Sequence, residues 1–313
     1  MVIFRADATV RSGLSRLRRC AYLASQLRST GDVLLLSRED KGAAKFLAGQ
    51  KAPFRMLKDP AAFELAGAGT LLLDLDSYSQ ADAALLERAR NGGVRTVLIA
   101  PPNGAPAAAD RTVDPAREPQ LALLHHKFRH FHQARRRYRR AVRHVFVSLG
   151  DALPYRELRA IVDVLHRLGL RVKVEPGPGL KKADRRNLAR IYPGVRFRGR
   201  SESAARSYFE ADLALVRPGD EALEAACAGT PALYLSLEKG EDGLAESWIA
   251  RGLGAKSPGL ADFSVQSVRA AIEPLDQATR ERMGSAGRAL VDGLGVQRLH
   301  AILREQGIVE IRR

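Results

Sequence analysis

Short runs of consecutive apolar residues, each about the length of a strand, alternate with helix-patterned segments along most of this chain. Val2–Arg5, Val33–Leu36, Thr70–Leu75 and Arg95–Ile99 occupy the first third; Val145–Leu149, Arg171–Glu175, Val195–Arg198, Leu213–Arg217 and Ala232–Leu235 follow after residue 144. These runs are apolar throughout rather than alternating with polar residues. Both faces of each strand are therefore expected to be covered, which is the condition of parallel sheets. The segments between them, such as Leu14–Arg28, Ala81–Asn91, Tyr155–Arg167 and Glu221–Ala228, carry helical spacing. Strand–helix alternation of this kind restricts the chain to an α/β fold, parallel sheets with helices on both faces. Its 313 residues suffice for two such domains, each with its own core.

The alternation breaks at Ala100–Gln120, "APPNGAPAAADRTVDPAREPQ", whose proline, alanine and polar content reads as a surface loop or interdomain linker. The expected division is an N-terminal Rossmann-like domain over 1–120, a basic linker helix over 121–144 and a C-terminal nucleotide-binding Rossmann-like domain over 145–313. The last helices, Gln277–Asp292 and Val296–Gln306, are expected to pack back across both domains. Between Glu118 and Asp151 there is no acid, while this stretch holds five of the seven histidines and eight cations, the latter from Lys127 to Arg143. Leu121, Leu124, Phe128 and Phe131 recur at helical spacing, so one face can pack while the others stay cationic.

A formal charge of +16 favours anionic partners: nucleic acid, acidic lipid headgroups or phosphorylated substrates. An arginine-rich, high-GC genome accounts for the same composition without any partner. The basic segment reads in three ways: adhesion to an acidic membrane surface or acidic glycan, nonspecific nucleic-acid binding, or a solvated interdomain helix. Nucleic acid is the least expected, since no known nucleic-acid-binding module is present. No apolar run approaches the roughly 20 residues that span a bilayer. The N-terminus becomes charged too quickly for a signal peptide. The two cysteines, Cys20 and Cys227, are far apart in sequence, and reduced thiols in the cytoplasm are expected, with the inner membrane face as a peripheral alternative. Neither a metal site nor a cofactor is expected.

Three stretches could carry chemistry. In "RADATVRSGLSRLRRC", Arg5 and Asp7 end the first strand, at the carboxyl edge where open α/β sheets bind ligands. Gly13 permits a tight turn, and Arg16 falls in the first turn of the helix that follows, where free N–H groups favour an anion. Arg16 could hold a diphosphate by paired hydrogen bonds, or simply decorate the surface. The spacing does not match the dinucleotide-binding fingerprint. "LDLDSYSQ" ends another strand with Asp74, Asp76, Ser77 and Tyr78, acids that could cap a helix or handle sugar hydroxyls. In "VRPGDEALEAACAGTP" a strand runs through Pro218–Gly219 into a helix, and Glu224 lies one turn in, where a carboxylate could accept both hydroxyls of a ribose.

Taken in order, "RAD…G…RC", "LDSY", "VFVSLG…P", the Gly219–Glu224–Gly229–Pro231 spacing and "RALVDGLGVQRL" resemble a known family over essentially the whole chain. It is the family of UDP-sugar hydrolases of pseudaminic acid synthesis, with related glycosyltransferases of spore-coat polysaccharide. These are similar to the lipid-linked peptidoglycan glycosyltransferases of the GT-B fold. The resemblance implies two Rossmann-like domains facing across a cleft that takes a nucleotide sugar, most simply a UDP-sugar. It gives Glu224 the ribose role and Gly219 the opening of the phosphate loop, and it matches Asp7 and Gly13 to the N-terminal motif. That motif reads roughly Gly-x-Gly-His-x-x-Arg-Cys, and its histidine is the expected general base. Here Ser15 stands at the second glycine and Arg16 at the histidine, while Arg19 and Cys20 keep their places. An arginine stays protonated at neutral pH and does not take a proton from water. Asp220 and Glu221 stand where small hydroxyl residues are expected, Gly150–Asp151 where two glycines are, and "SLEKGEDG" where an Asn–Gln pair is.

The expected catalytic set is Asp7, Arg16 and Asp76, with an aspartate (Asp7, Asp74 or Asp76) as base and Arg16 steadying the diphosphate. The expected substrate-binding set is Gly13, Arg19, Tyr78, Gly150, Gly219, Asp220 and Glu224. Two functional readings follow. One is a divergent glycosyltransferase or UDP-sugar hydrolase of surface-polysaccharide or nonulosonate synthesis. The other is a catalytically inactive relative that binds or scaffolds through its basic linker.

Overall fold

The computed structural model describes residues 1–8, 13–28, 31–50, 52–99, 109–150, 153–177, 180–197 and 202–309. Asp151 and Arg198, and the stretch 100–108 of the expected linker, lie outside them. Among the described residues the chain divides into two units, Met1–Leu124 with Leu294–Arg313, and His125–Gly293.

In the first unit, β1 (Val2–Ala6) is buried along its whole length. It leads to α1 (Ser15–Leu27), whose Leu17, Cys20, Ala21, Ala24 and Leu27 form the stripe that packs on the sheet. Then come β2 (Val33–Arg38), α2 (Lys41–Ala48) capped by the Asp40 carboxylate, and β3 (Phe54–Leu57). After β4 (Thr70–Asp74), Ser79 and Asp82 exchange side-chain and backbone bonds to start α3 (Gln80–Asn91). β5 (Arg95–Ile99) and β6 (Arg111–Val113) complete a parallel sheet in the order β3-β2-β1-β4-β5-β6.

β6 corrects the reading of Ala100–Gln120 as loop or linker throughout. Its three residues pair with Val97–Ile99 at the edge of the sheet, and Asp110 holds that edge by accepting from the N–H (2.7 Å) and hydroxyl (2.9 Å) of Thr96. A three-residue edge strand exposed on one side has no apolar run to announce it.

The second unit opens with α4 (Lys127–Gln133). It continues with β7 (His144–Ser148), α5 (Tyr155–Arg167), β8 (Arg171–Val174), α6 (Lys182–Ile191), β9 (Arg196–Phe197) and α7 (Glu202–Glu210). β10 (Leu213–Val216), α8 (Asp220–Ala228), β11 (Ala232–Tyr234), α9 (Glu241–Ala250), β12 (Gly254–Lys256), α10 (Val265–Ile272) and α11 (Gln277–Leu290) follow. The strands are again parallel, in the order β12-β11-β10-β7-β8-β9. Both sheets thus have the Rossmann order, with the first strand of each unit central and the direction of winding reversing beside it. α5 shows the packing logic: Leu158, Ile161, Val162, Val164 and Leu165 are buried, each worth roughly 1.5–3 kcal/mol.

The two C-terminal helices belong to different units. α11 lies in the second, whereas α12 (Gly295–Glu305) returns to the first, where Val296, Leu299 and Leu303 join the core of α1 and the Thr70 hydroxyl donates to the Ile308 carbonyl. α11 approaches α8 so closely that a Cβ on Gly284 would stand 1.9 Å from the Tyr138 hydroxyl and 2.4 Å from the Gly229 carbonyl oxygen. Gly284→Ala is therefore expected to lower stability by about 2 kcal/mol. Urea unfolding followed by circular dichroism measures this, and an unchanged midpoint would argue against the close approach.

The basic segment over 121–144 is not one helix. Leu121–Leu124 are buried in the first unit, α4 spans Lys127–Gln133, and no helix continues through 134–143. The backbone there is held by partners distant in sequence. Arg136 donates to the carbonyls of Tyr208, Phe209 and Ala211 and to the Thr230 hydroxyl, and Tyr138 donates to the Gly229 carbonyl at 2.9 Å. Arg280, fully buried, donates to the carbonyls of Arg139 and Arg140, which a continuing helix would have used itself. Arg139 pairs with Asp212 at 2.7 Å, and Asp212 also accepts from the backbone N–H of Arg143 and of His144, each at 2.9 Å.

Burial raises the Asp212 pKa, but these hydrogen bonds outweigh it and hold the carboxyl below the usual aspartate range. A carboxylate with a depressed folded pKa contributes stability above its unfolded value, and that contribution disappears as pH falls through the folded value. Asp212→Asn is thus expected to reduce stability at neutral pH and to flatten the decline below about pH 4. Urea midpoints at neutral and acidic pH measure both effects. An equal loss at both pH values would rule out the ionic contribution.

Candidate functional site

The carboxyl edge of each sheet, at the point where winding reverses, is where this topology places a ligand. In the first unit that point lies between β1 and β4. Asp7 follows β1, Asp74 ends β4 with Asp76 just beyond it, and α1 brings Arg16 and Arg19 alongside. Gly13, with φ of +57°, makes the left-handed turn before the helix.

These side chains form a paired network. Arg16 donates from Nε to Asp76 Oδ1 at 2.5 Å and from Nη1 to Asp74 Oδ1 at 2.6 Å. Arg19 donates to both oxygens of Asp74, at 2.8 and 2.9 Å. Asp74 is fully buried, so two guanidiniums converge on one desolvated carboxylate. Burial works against the Arg16 charge, but Asp74 and Asp76 prevail and its pKa is raised. Asp7 is held by the fully buried Arg5 through both its oxygens, at 2.6 and 2.7 Å, and accepts the Arg38 N–H at 2.7 Å. Every aspartate expected as a base therefore accompanies an arginine. Burial, and then the charge of Asp74, push the Tyr78 hydroxyl well above the ordinary tyrosine value; it is a neutral O–H, buried, with no hydrogen-bond partner among the described residues. Burial likewise raises the thiol of Cys20, which leaves it a packing residue.

In the second unit the reversal lies between β7 and β10. Gly150 follows β7 with φ of +77°, and a Cβ there would meet Arg217 Nη1 at 3.3 Å and Glu221 Oε1 at 3.6 Å. Gly219 is the N-cap of α8 in extended conformation, and Asp220 is the first helical residue. Asp220 and Glu221 occupy the first turn, and Glu224 is one turn in. Burial, followed by the charges of Glu224, Glu175 and Glu221, raises the Tyr208 hydroxyl.

Two functional candidates here escaped the sequence. Arg217, at the end of β10, donates to Glu241 through Nε at 2.9 Å and through Nη2, and reaches Glu238 at 3.0 Å. The "SLEKGEDG" stretch that lacks the expected Asn–Gln pair thus supplies the carboxylates that hold an arginine beside Gly150. Glu175, just past β8, accepts the Ser148 hydroxyl at 2.8 Å, while its other oxygen is buried without a hydrogen-bond partner among the described residues. Only a strand-end acid signalled Glu175, and nothing in the sequence linked Arg217 to acids over twenty residues on.

Among the described residues no group of three His, Cys, Asp or Glu side chains could hold a metal ion, and no helix is long and apolar enough to cross a membrane.

The paired Rossmann units are those of the GT-B fold, and solved structures with this architecture cover nearly the whole chain. The spinosyn rhamnosyltransferase SpnG, complexed with thymidine diphosphate, is 14% identical with a TM-score of 0.69, over 96% of this chain and 100% of that one. The UDP co-structure of S. aureus MnaA is 13% identical with a TM-score of 0.62, over 98% and 97%. MurG of Acinetobacter baumannii is 14% identical with a TM-score of 0.62, over 97% and 99%. No family model and no curated protein sequence matches the chain.

Proposed function

We propose that this chain binds a nucleotide diphosphate sugar at the carboxyl edge of its second sheet and acts as a divergent glycosyltransferase or UDP-sugar hydrolase of surface-polysaccharide or nonulosonate synthesis. The observation that carries this reading is the junction of Gly150, Gly219 and the start of α8, with Glu224 one turn in, at the reversal point of a Rossmann sheet. The positive end of the α8 helix dipole suits a phosphate, and a carboxylate one turn further suits the ribose hydroxyls. The buried, unpartnered oxygen of Glu175 is an acceptor suited to a base or sugar N–H or O–H. Similarity to SpnG and MnaA, whose structures hold thymidine diphosphate and UDP, supports the ligand class.

In this reading Arg16 acts as a fixed positive charge rather than as a base, held by Asp74 and Asp76 for a diphosphate leaving group. Asp76, the more exposed of those two carboxylates, is the group that a substrate hydroxyl would approach. A specific observation favours the second reading, binding without turnover: Asp7, Asp74 and Asp76 each already neutralise an arginine. Incubation with a panel of UDP-sugars, followed by chromatography for released UDP, separates the two. Release that stops in Asp76→Asn supports the enzyme; tight UDP-sugar binding with no release supports the binding protein.

A further inference from the structure

At the amino-terminal edge of the second sheet, opposite Gly150 and Gly219, lies a groove of about 690 Å³. The strand register places His144 beside Arg171, Phe146 beside Lys173 and Lys173 beside Arg196. Register partners in a parallel sheet, and residues two apart on one strand, share a face. His144, Arg171, Lys173 and Arg196 therefore project to one side, and it is the side of α7, because Phe146 packs against Tyr208 with ring centroids 4.6 Å apart. Ser207 and Glu210 of α7 line the groove with them, and Arg139 enters from the basic segment.

The charges there are not balanced. Arg139 is taken by Asp212, while Lys173 and Arg206 share Glu210 at 2.9 and 2.6 Å. No carboxylate among the described residues pairs with Arg171 or Arg196. Arg196 donates from Nη1 to the carbonyls of Pro193 and Val195, at 2.8 and 3.1 Å, which fixes the guanidinium without neutralising it. Two guanidiniums on neighbouring strands, one of them held in place, suit the bidentate hydrogen bonding of a phosphoryl group. The groove is large enough for the sugar or glycerol that carries such a group.

We propose that this groove is an anion site for a phosphoryl group, carried by a soluble phosphorylated sugar or by a lipid headgroup, and separate from the nucleotide site. Arg171 and Arg196 are exposed, so their removal is expected to leave the fold intact.

The test is calorimetric titration with inorganic pyrophosphate at low ionic strength, where screening is weak. Saturable binding is expected, weakened at least about tenfold in Arg171→Ala/Arg196→Ala and unchanged in the charge-matched exposed pair Arg251→Ala/Arg282→Ala. Equal affinity in the two double variants, or no saturable binding in the parent, overturns the proposal. Co-sedimentation with phosphatidylglycerol vesicles, against phosphatidylcholine vesicles, identifies the source. Sedimentation lost in the groove variant assigns a lipid headgroup; pyrophosphate binding without sedimentation assigns a soluble ligand. A single-stranded oligonucleotide that binds more tightly as it lengthens and resists displacement by pyrophosphate would contradict the proposal in favour of nucleic acid.

Discussion

Asp74→Asn is expected to lower the unfolding free energy by about 3–5 kcal/mol. Asp74 is fully buried at the end of β4, and its two oxygens accept three hydrogen bonds from Arg16 and Arg19 at 2.6–2.9 Å. Those guanidiniums are themselves only 16% and 12% exposed, so water replaces little of what the carboxylate supplies. The amide keeps the shape but removes the charge, and it leaves two cations facing each other across a desolvated pocket. Arg16 retains Asp76. Urea unfolding should show a lower midpoint with an unchanged slope. The double variant Asp74→Asn/Arg19→Met should recover part of the loss, because it removes one of the two cations that converge on this site. A loss under about 1 kcal/mol in the single variant would mean that the network is solvated and adds little.

This network bears on function as well as on folding. An Arg16 so held can present a charge but cannot act as a proton acceptor, and an Asp76 bonded to it can meet a substrate hydroxyl only by sharing that bond. Arg16 is thus built into the first unit by Asp74 at the end of β4 and Asp76 just beyond it, not left on the surface.

Glu224→Ala is expected to weaken UDP binding by about 100-fold, the equivalent of about 2.7 kcal/mol. A carboxylate that accepts two ribose hydroxyls makes two charge-assisted bonds, each worth roughly 1.5–3 kcal/mol in such sites. Glu224 is on α8, a helix anchored by buried Leu223, Ala225, Ala226 and Cys227 on its other faces, so truncation should spare the fold. Glu224→Gln, which keeps one acceptor oxygen, should lose less than the alanine variant. Titration calorimetry, with circular dichroism as a check of folding, measures both. Equal UDP affinity in Glu224→Ala and the parent would remove Glu224 from the ribose role.

The interior of both sheets was legible because buried parallel strands are apolar on both faces: β1, β4, β5, β7 and β10 fall within a residue or two of the runs that announce them. The edges were not. β3, "FRML", β6, "RTV", and β12, "GAK", are short and half exposed, so their only signal is pairing with a neighbour distant in sequence. α4 was read too long because the spacing of Leu121, Leu124, Phe128 and Phe131 is helical, whereas Arg136, Tyr138 and Arg280 hold the chain beyond Gln133 in another path. The same limit governs the site. Gly219, Asp220 and Glu224 are neighbours along the chain, so their placement at the start of one helix could be read from spacing alone. Arg16 with Asp74 and Asp76 could not, since 58 and 60 residues separate them. Spacing located these three at strand and helix ends but gave no sign that they would neutralise one another.

The central claim is that the second sheet holds a nucleoside diphosphate at its carboxyl edge, and titration of UDP and thymidine diphosphate into the full chain tests it most directly. The account predicts one saturable site for at least one of the two, sensitive to Glu224→Ala and indifferent to Arg171→Ala/Arg196→Ala. No saturable heat with either nucleotide or with a UDP-sugar would contradict it, whatever the likeness of the fold.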